Sequence, residues 1–317
     1  MSRQTATNPK PADVFKTFPE FSRLTIEDRA IYDEVTKDYP PASGLSFYNL
    51  MTWWNSLNSC SVSTLNGNLV LSYWLPGDEK HSGLSVIGTN NLDKTIATVL
   101  DWQREQGQKP KLLHVPEFVI ARLRYPELYE CNNDRYADEY IYKVTKFSSL
   151  DGWVGFKRAR INKFLARQGA KKLEVRALDL ADGENILLLN RRERELRGKS
   201  IFNFAKHVNE CMQIGLDNAK TLGTKSLCLF IDGSLEGFIL YSSNNDTRYM
   251  TFSHAVINMH IPYIYDYIVY RFSQWFEEQG VEYINLDSDL GIPALRMIKL
   301  GLGPDHFFRY YTLEPAK

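Results

Sequence analysis

The spacing of apolar and polar residues switches repeatedly between a period of two and a period near 3.6, the marks of strands and helices. FSRLT reads as a short strand, and IEDRAIYDEVTKDYPP as a helix stopped by Pro40 and Pro41. SFYNLMTWWNS predicts a second helix, capped by Ser46, with Phe47, Leu50, Met51 and Trp54 on one side. SCSVSTL and NLVLSYWL flank Asn66-Gly67, a pair that supplies the positive φ angles of a tight hairpin turn. GLSVIGT adds a strand, NLDKTIATVLDWQREQG an amphipathic helix ending at Gly107, and KLLHVPE another strand. FVIARLRYP is a short helix and RYADEYIYKVTKF a long final strand, so the order is β-α-α-β-β-β-α-β-α-β.

The same order then returns. KLEVRAL is a strand, and ENILLLNRRERELRG and SIFNFAKHVNECMQIGLDNAKTLG are helices. SLCLFID, a turn at Asp232-Gly233, and LEGFILYSS form a second hairpin, followed by the strand YMTFSHAVI. IPYIYDYIVYRFSQWFEEQG is a helix with Pro262 near its start and Gly280 at its end. VEYINLD, PALRMIKLGL and HFFRYYTLE close the series as strand, helix and strand. Repetition of a unit of roughly 130 residues is the signature of internal duplication. The expected division is a disordered polar tail over 1–18, a first unit over 19–150, a connecting helix over 151–172 and a second unit over 173–317.

Composition narrows the class. Hydrophobic content of 44% supports packed cores, and a formal net charge of zero means that anion binding must come from local patches rather than a global field. Cys60, Cys131, Cys211 and Cys228 are far apart with no CxxC spacing, which fits reduced thiols in a core. There is no secretory leader pattern and no apolar run of membrane-spanning length, so the expectation is a cytoplasmic protein, with peripheral membrane contact left open.

The strongest local patch is GWVGFKRARINKFLARQGAKK, Gly152 to Lys172, with seven Lys or Arg and no Asp or Glu. As a helix it places Lys157, Arg160, Lys163, Arg167 and Lys171 on one face beside an apolar stripe of Val154, Ile161, Phe164 and Leu165. Arg158 and Arg160 suit bidentate phosphate contacts, while the uncharged Asn162 either joins them or fixes the helix by bonding nearby backbone. No metal-ligand spacing, P-loop, GxSxG or Rossmann glycine pattern is present. Metal chemistry and a bound cofactor are therefore not expected.

SGLSFYNLMTWW, HVPE, DEYIYKV, GFKRARINKF and INLDSDLGIPALRMIKLGLGP, in that order, resemble the DUF2156 family, the phosphatidylglycerol lysyltransferase C-terminal-like proteins. The similarity covers nearly the whole chain. Two pieces carry its specificity, the KRxRINKF stretch and NLDSDLGIPALRxxK. It implies an α/β fold of two tandem GNAT-like domains, as in FemABX-like aminoacyltransferases, and an acyltransferase that moves an aminoacyl group from aminoacyl-tRNA to a hydroxyl or amine acceptor. The implied partners are tRNA and a lipid headgroup or small-molecule acceptor. The chain departs from the pattern in lacking the membrane-embedded flippase part and in carrying Leu302 where a tyrosine is expected.

In a GNAT-like unit the fourth and fifth strands splay, and the acyl donor occupies the gap. Here these are YMTFSHAVI and VEYINLD. A CoA enzyme also needs a glycine-rich turn after the fourth strand to cradle pyrophosphate, and VINMHIPYIYDY contains no glycine. This disfavours a CoA-dependent N-acyltransferase acting on a small amine. A third reading is a non-catalytic module that binds an anion or a protein. Asp287 and Asp289 follow the fifth strand, sharing a motif with Arg296 and Lys299; they can bind an α-ammonium group or orient a nucleophile, or they can cap a helix and pair with Arg296. His254, mid-strand at the splay, and His260 are candidate acids or bases, or packed and capping side chains. The candidate catalytic set is Asp287, Asp289 and His254. The candidate substrate-binding set is Lys157, Arg158, Arg160, Asn162, Lys163, Arg296 and Lys299.

Overall fold

The computed structural model describes residues 14–54, 60–73, 82–150, 155–178, 183–196, 205–243 and 246–316. In chain order its strands are β1 (Ser22–Arg23), β2 (Cys60–Leu65), β3 (Asn68–Tyr73), β4 (Gly83–Ile87), β5 (Leu112–Pro116), β6 (Tyr129–Asn133), β7 (Glu139–Lys143), β8 (Leu173–Arg176), β9 (Lys225–Ile231), β10 (Ser234–Ser242), β11 (Tyr249–Ile257), β12 (Tyr283–Ser288), β13 (His306–Phe308) and β14 (Tyr310–Pro315). The longer helices are α1 (Arg29–Thr36), α2 (Leu92–Glu105), α3 (Gly155–Gln168), α4 (Gly183–Leu196), α5 (Ala205–Asp217), α6 (Ile264–Glu278) and α7 (Pro293–Gly301). Both predicted hairpin turns form with two successive positive φ angles, 52° and 78° at Asn66-Gly67 and 51° and 82° at Asp232-Gly233.

Two compact units emerge: Met1–Asp138 with Leu290–Ile292 and Phe308–Lys317, and Glu139–Asp289 with Pro293–Phe307. The first sheet runs β1-β2-β3-β4-β5-β14-β6 and the second β13-β7-β12-β11-β10-β9-β8. Read from opposite ends, the two orders are the same architecture. Each sheet has a central parallel pair, β4 with β5 and β11 with β12.

The division differs from the expected one in where strands belong. The final strand of the first half, β7, lies between β12 and β13 in the second sheet, while the end of the chain, β14, lies between β5 and β6 in the first. The physical reason is packing: Tyr140 and Tyr142 are fully buried in the second unit's core, and Leu313 in the first unit's. The stretch HFFRYYTLE is therefore two strands in different sheets, broken at Arg309.

Two further boundaries shift. The first thirteen residues of the expected tail lie outside the described residues, but Phe15 and Phe18 are buried, the latter in the first core, so ordered structure begins before residue 19. The basic helix α3 is not a free connector: Ile161 and Phe164 are fully buried in the second unit, and Phe164 stacks on Tyr267 of α6 at 4.4 Å between ring centroids. Val154 of its expected apolar stripe lies outside the described residues, Leu165 is exposed, and Lys171 falls beyond the helix end, where Gly169 takes a φ of 57°. The second sheet has helices on both faces. One face packs against α3 and α6, and the other, through Phe238, Leu240 and Cys228, against Ile186 and Leu189 of α4 and Met212 of α5.

Candidate active site

Strands β11 and β12 pair in parallel only at Tyr249 with Tyr283, Met250 with Ile284 and Thr251 with Asn285. Beyond these pairs β11 continues to Ile257 against β10, and among the described residues no strand pairs with its other edge, which borders a gap. Buried backbone groups seek partners, and a strand edge inside a unit is therefore a place where a ligand can bond. At the start of this gap the hydroxyls of Thr251 and Ser253 are both buried and have no hydrogen-bond partner among the described residues. Sequence reasoning missed both, because serine and threonine in a strand carry no pattern of their own. Two residues past the last pair, Asp287 adopts a φ of 62°, a strained conformation for a non-glycine residue. The first unit repeats this detail: two residues past the Leu84–Leu112 pair, His114 has a φ of 52°.

The turn that carries Asp287 is held from several sides. Asp287 N–H donates to Asn285 Oδ1 at 2.8 Å, and Ser288 N–H donates to Asp287 Oδ1 at 2.7 Å. Asn285 in turn donates to the buried Glu139 carboxylate at 2.6 Å. Lys299, reaching back from α7, donates to the carbonyls of Leu286 at 2.7 Å, Asp287 at 3.2 Å and Ser288. Burial pushes the Lys299 ammonium below the ordinary lysine range, against the opposing pull of Asp287, Asp289 and Glu139.

Asp289 has a different environment. Its carboxylate is completely buried, accepts the Tyr140 hydroxyl at 2.6 Å, and accepts Arg296 in a two-pronged contact at 2.8 and 3.1 Å. Of the two aspartates, Asp289 is thus fully buried among protein donors, whereas Asp287, just past the last β11–β12 pair, is only partly buried. Arg296 and Lys299, expected to bind substrate, are both committed to this internal scaffold.

The expected cations of α3 divide in the same way. Lys157 donates to the Gly301 carbonyl at 2.8 Å, and burial lowers its pKa. Arg160 Nε lies 2.9 Å from the buried Asp266 carboxylate, pairing as charges rather than as an aligned hydrogen bond. Burial raises the Asp266 carboxyl, although Arg160 and Lys157 pull it down. Arg158, Asn162 and Lys163 are exposed. Because Lys157 meets the end of α7 and Lys299 of α7 meets the end of β12, direct hydrogen bonds link the basic helix to the Asp287 turn.

His254 is buried in β11 opposite Leu240, and burial lowers its pKa to about 4, so the ring is neutral at neutral pH. A group displaced that far is a weak proton acceptor, which favours a packing or orienting role over general base. His260 is exposed in the loop after β11. In that loop the N–H groups of Asn258, His260 and Ile261 are bonded to Glu236, Asn258 Oδ1 and the Asn258 carbonyl. They are spent within the protein rather than arranged as a phosphate cradle.

The family described as phosphatidylglycerol lysyltransferase, C-terminal, matches residues 39–313. The chain belongs to this family. No curated protein matches it. Among solved structures, a conserved protein of unknown function from Bacteroides thetaiotaomicron superposes with a TM-score of 0.79 at 22% identity, over 93% of this chain and 99% of that one. The C-terminal domain of a putative lysylphosphatidylglycerol synthetase from Agrobacterium fabrum gives 0.57 at 13% identity, over 90% and 91%. FemX gives 0.58 at 9% identity, over 94% and 97%. At these identities the likeness concerns fold, and the fold is the tandem pair of GNAT-like acyltransferase units. The family description supports an aminoacyltransferase in kind.

Proposed function

We propose that the protein transfers an aminoacyl group from aminoacyl-tRNA to a hydroxyl or amine acceptor, with a phospholipid headgroup the leading acceptor. The observation that carries this reading is the open edge of β11 beside the Asp287 turn, hydrogen-bonded through α7 to a helix with exposed cations. In the proposed reaction the acceptor oxygen or nitrogen attacks the ester carbonyl, forming the new acyl bond. The developing oxyanion takes hydrogen bonds from donors along the β11 edge, the Thr251 and Ser253 hydroxyls among them, an arrangement of fixed dipoles suited to acyl transfer. The bond to the terminal ribose oxygen then breaks, and the acceptor's proton ends on that oxygen. Asp287 binds the α-ammonium of the aminoacyl group or orients the acceptor. Asp289, Arg296 and Lys299 hold the turn in position, and Arg158 and Lys163 contact tRNA phosphates. The family description supports the lysyl and phospholipid version. The internally bonded loop after β11 supports a donor other than CoA.

The test is transfer of label from charged tRNA to a lipid extract by the purified protein. Wild type should yield a new aminoacylated lipid, and Asp287→Asn should reduce the rate without changing thermal stability. Absence of product with every charged tRNA and acceptor tried would refute the reading. For tRNA binding, Arg158→Ala and Lys163→Ala should each reduce the salt slope by about one.

A further inference from the structure

Helix α7 is built inside out. Its charged residues face inward, Arg296 to Asp289 and Lys299 to three backbone carbonyls, while no residue of the helix is buried. Its exposed side is apolar: Met297 is 71% exposed, Ile298 47% and Leu300 46%. Ala294, Met297, Ile298 and Gly301 recur at helical spacing along one exposed face. A surface helix ordinarily does the reverse, turning apolar residues to the core and charges to water.

The flanks of this face are cationic. From Gly291 to Gly303 there is no acidic residue, and the adjoining α3 has none from Gly155 to Gln168. Lys157 and Lys146 reach the carbonyls of Gly301 and Gly303, which places two cations at the end of α7. Aliphatic side chains flanked by cations match the two parts of an anionic lipid surface, acyl chains below and phosphates above. RNA fits this face poorly, since binding single-stranded bases uses aromatic platforms and Met297, Ile298 and Leu300 offer none.

We propose that the outer face of α7 docks the protein on an anionic bilayer, Met297, Ile298 and Leu300 entering the interface while the flanking cations meet headgroups. This rests on the lipid-acceptor form of the proposed function and places the Asp287 turn, tied to α7 through Lys299, next to the surface that holds the acceptor.

The experiment is flotation with vesicles of phosphatidylcholine alone and of phosphatidylcholine mixed with phosphatidylglycerol. Wild type should float with the mixed vesicles, remain behind with the neutral ones, and be released by salt. The double variant Met297→Ser, Ile298→Ser, which alters only exposed side chains, should lose binding on the order of tenfold, whereas Met297→Leu should keep it. Circular dichroism checks that the double variant is folded. Failure of wild type to float, or equal flotation of the double variant, overturns the docking proposal. Self-association in sedimentation that the same substitutions abolish would assign the face to a second copy and equally overturn it. Transfer to a short-chain, water-soluble phosphatidylglycerol separates the two ideas. Transfer without flotation removes the docking surface alone, and flotation without transfer to any acceptor removes the reaction alone.

Discussion

His254 should make the protein acid-sensitive in a defined window. In the folded state burial holds its pKa at about 4, against 6.5 for an unburied histidine. Below pH 6.5 the unfolded chain takes up a proton that the folded chain refuses, so unfolding is favoured progressively down to about pH 4. Over that window stability therefore rises with pH; it is fully present above 6.5 and lost toward 4. At about 1.4 kcal/mol per pH unit, the gap between the two values comes to about 3 kcal/mol. Urea denaturation of wild type and His254→Asn at closely spaced pH values measures it. Whatever the substitution costs at pH 8, the difference between the two curves should shrink by about 3 kcal/mol on acidification. Parallel curves from pH 7 to 4.5 would show that His254 titrates normally, and its assignment as a weak proton acceptor would fall with them.

Phe164→Ala should destabilise the protein by about 3–5 kcal/mol, since the ring is fully buried against Tyr267, whereas Lys163→Ala on the same helix should stay within about 0.5 kcal/mol; thermal unfolding compares them. Asp289→Ala leaves the buried Tyr140 hydroxyl without its acceptor, a loss of about 1–3 kcal/mol, and Tyr140→Phe in the same background should recover part of it in denaturant titration. Lys299→Met should lower turnover while leaving tRNA affinity unchanged, because the turn loses its clamp but the exposed cations of α3 remain. With the Lys299 pKa lowered by burial, wild-type transfer should fall at alkaline pH before ordinary lysines deprotonate, and that limb should be absent from the pH–rate profile of Lys299→Met.

Much of the architecture was legible because local chemistry fixes it. Asn66-Gly67 and Asp232-Gly233 form hairpin turns through backbone freedom, and Gly107 and Gly280 take positive φ at helix ends, independent of tertiary context. The splay was expected between YMTFSHAVI and VEYINLD from the resemblance to GNAT-like units, and these strands, β11 and β12, pair at only three positions. The exchange of β7 and β14 was not legible, since a buried strand such as EYIYK has the same apolar pattern whichever sheet receives it. Helix α7 misled for a related reason. Periodicity assigns charges to water and apolar residues to the core, but Arg296 and Lys299 turn inward to partners that tertiary structure brings, Asp289 and three carbonyls on the β12 turn. Asp287 and Asp289, two positions apart, look equivalent in sequence; donors from Tyr140 and Arg296 distinguish them.

The placement of β14 also bears on how the protein is made. Leu313 pairs with Leu112 across 201 residues of chain (313 − 112), and β14 fills the position between β5 and β6. During synthesis the first unit therefore leaves the ribosome with two strand edges open, and it stays so until β14 emerges. The second unit receives β7 early and can complete its sheet once β13 emerges. Both sheets thus wait for the same stretch, His306–Pro315, so the usual N-terminal-first order of folding does not extend to completion of the first unit. Exposed edges invite pairing with other chains, so slow translation of the second half should raise aggregation of nascent chains more than slow translation of the first.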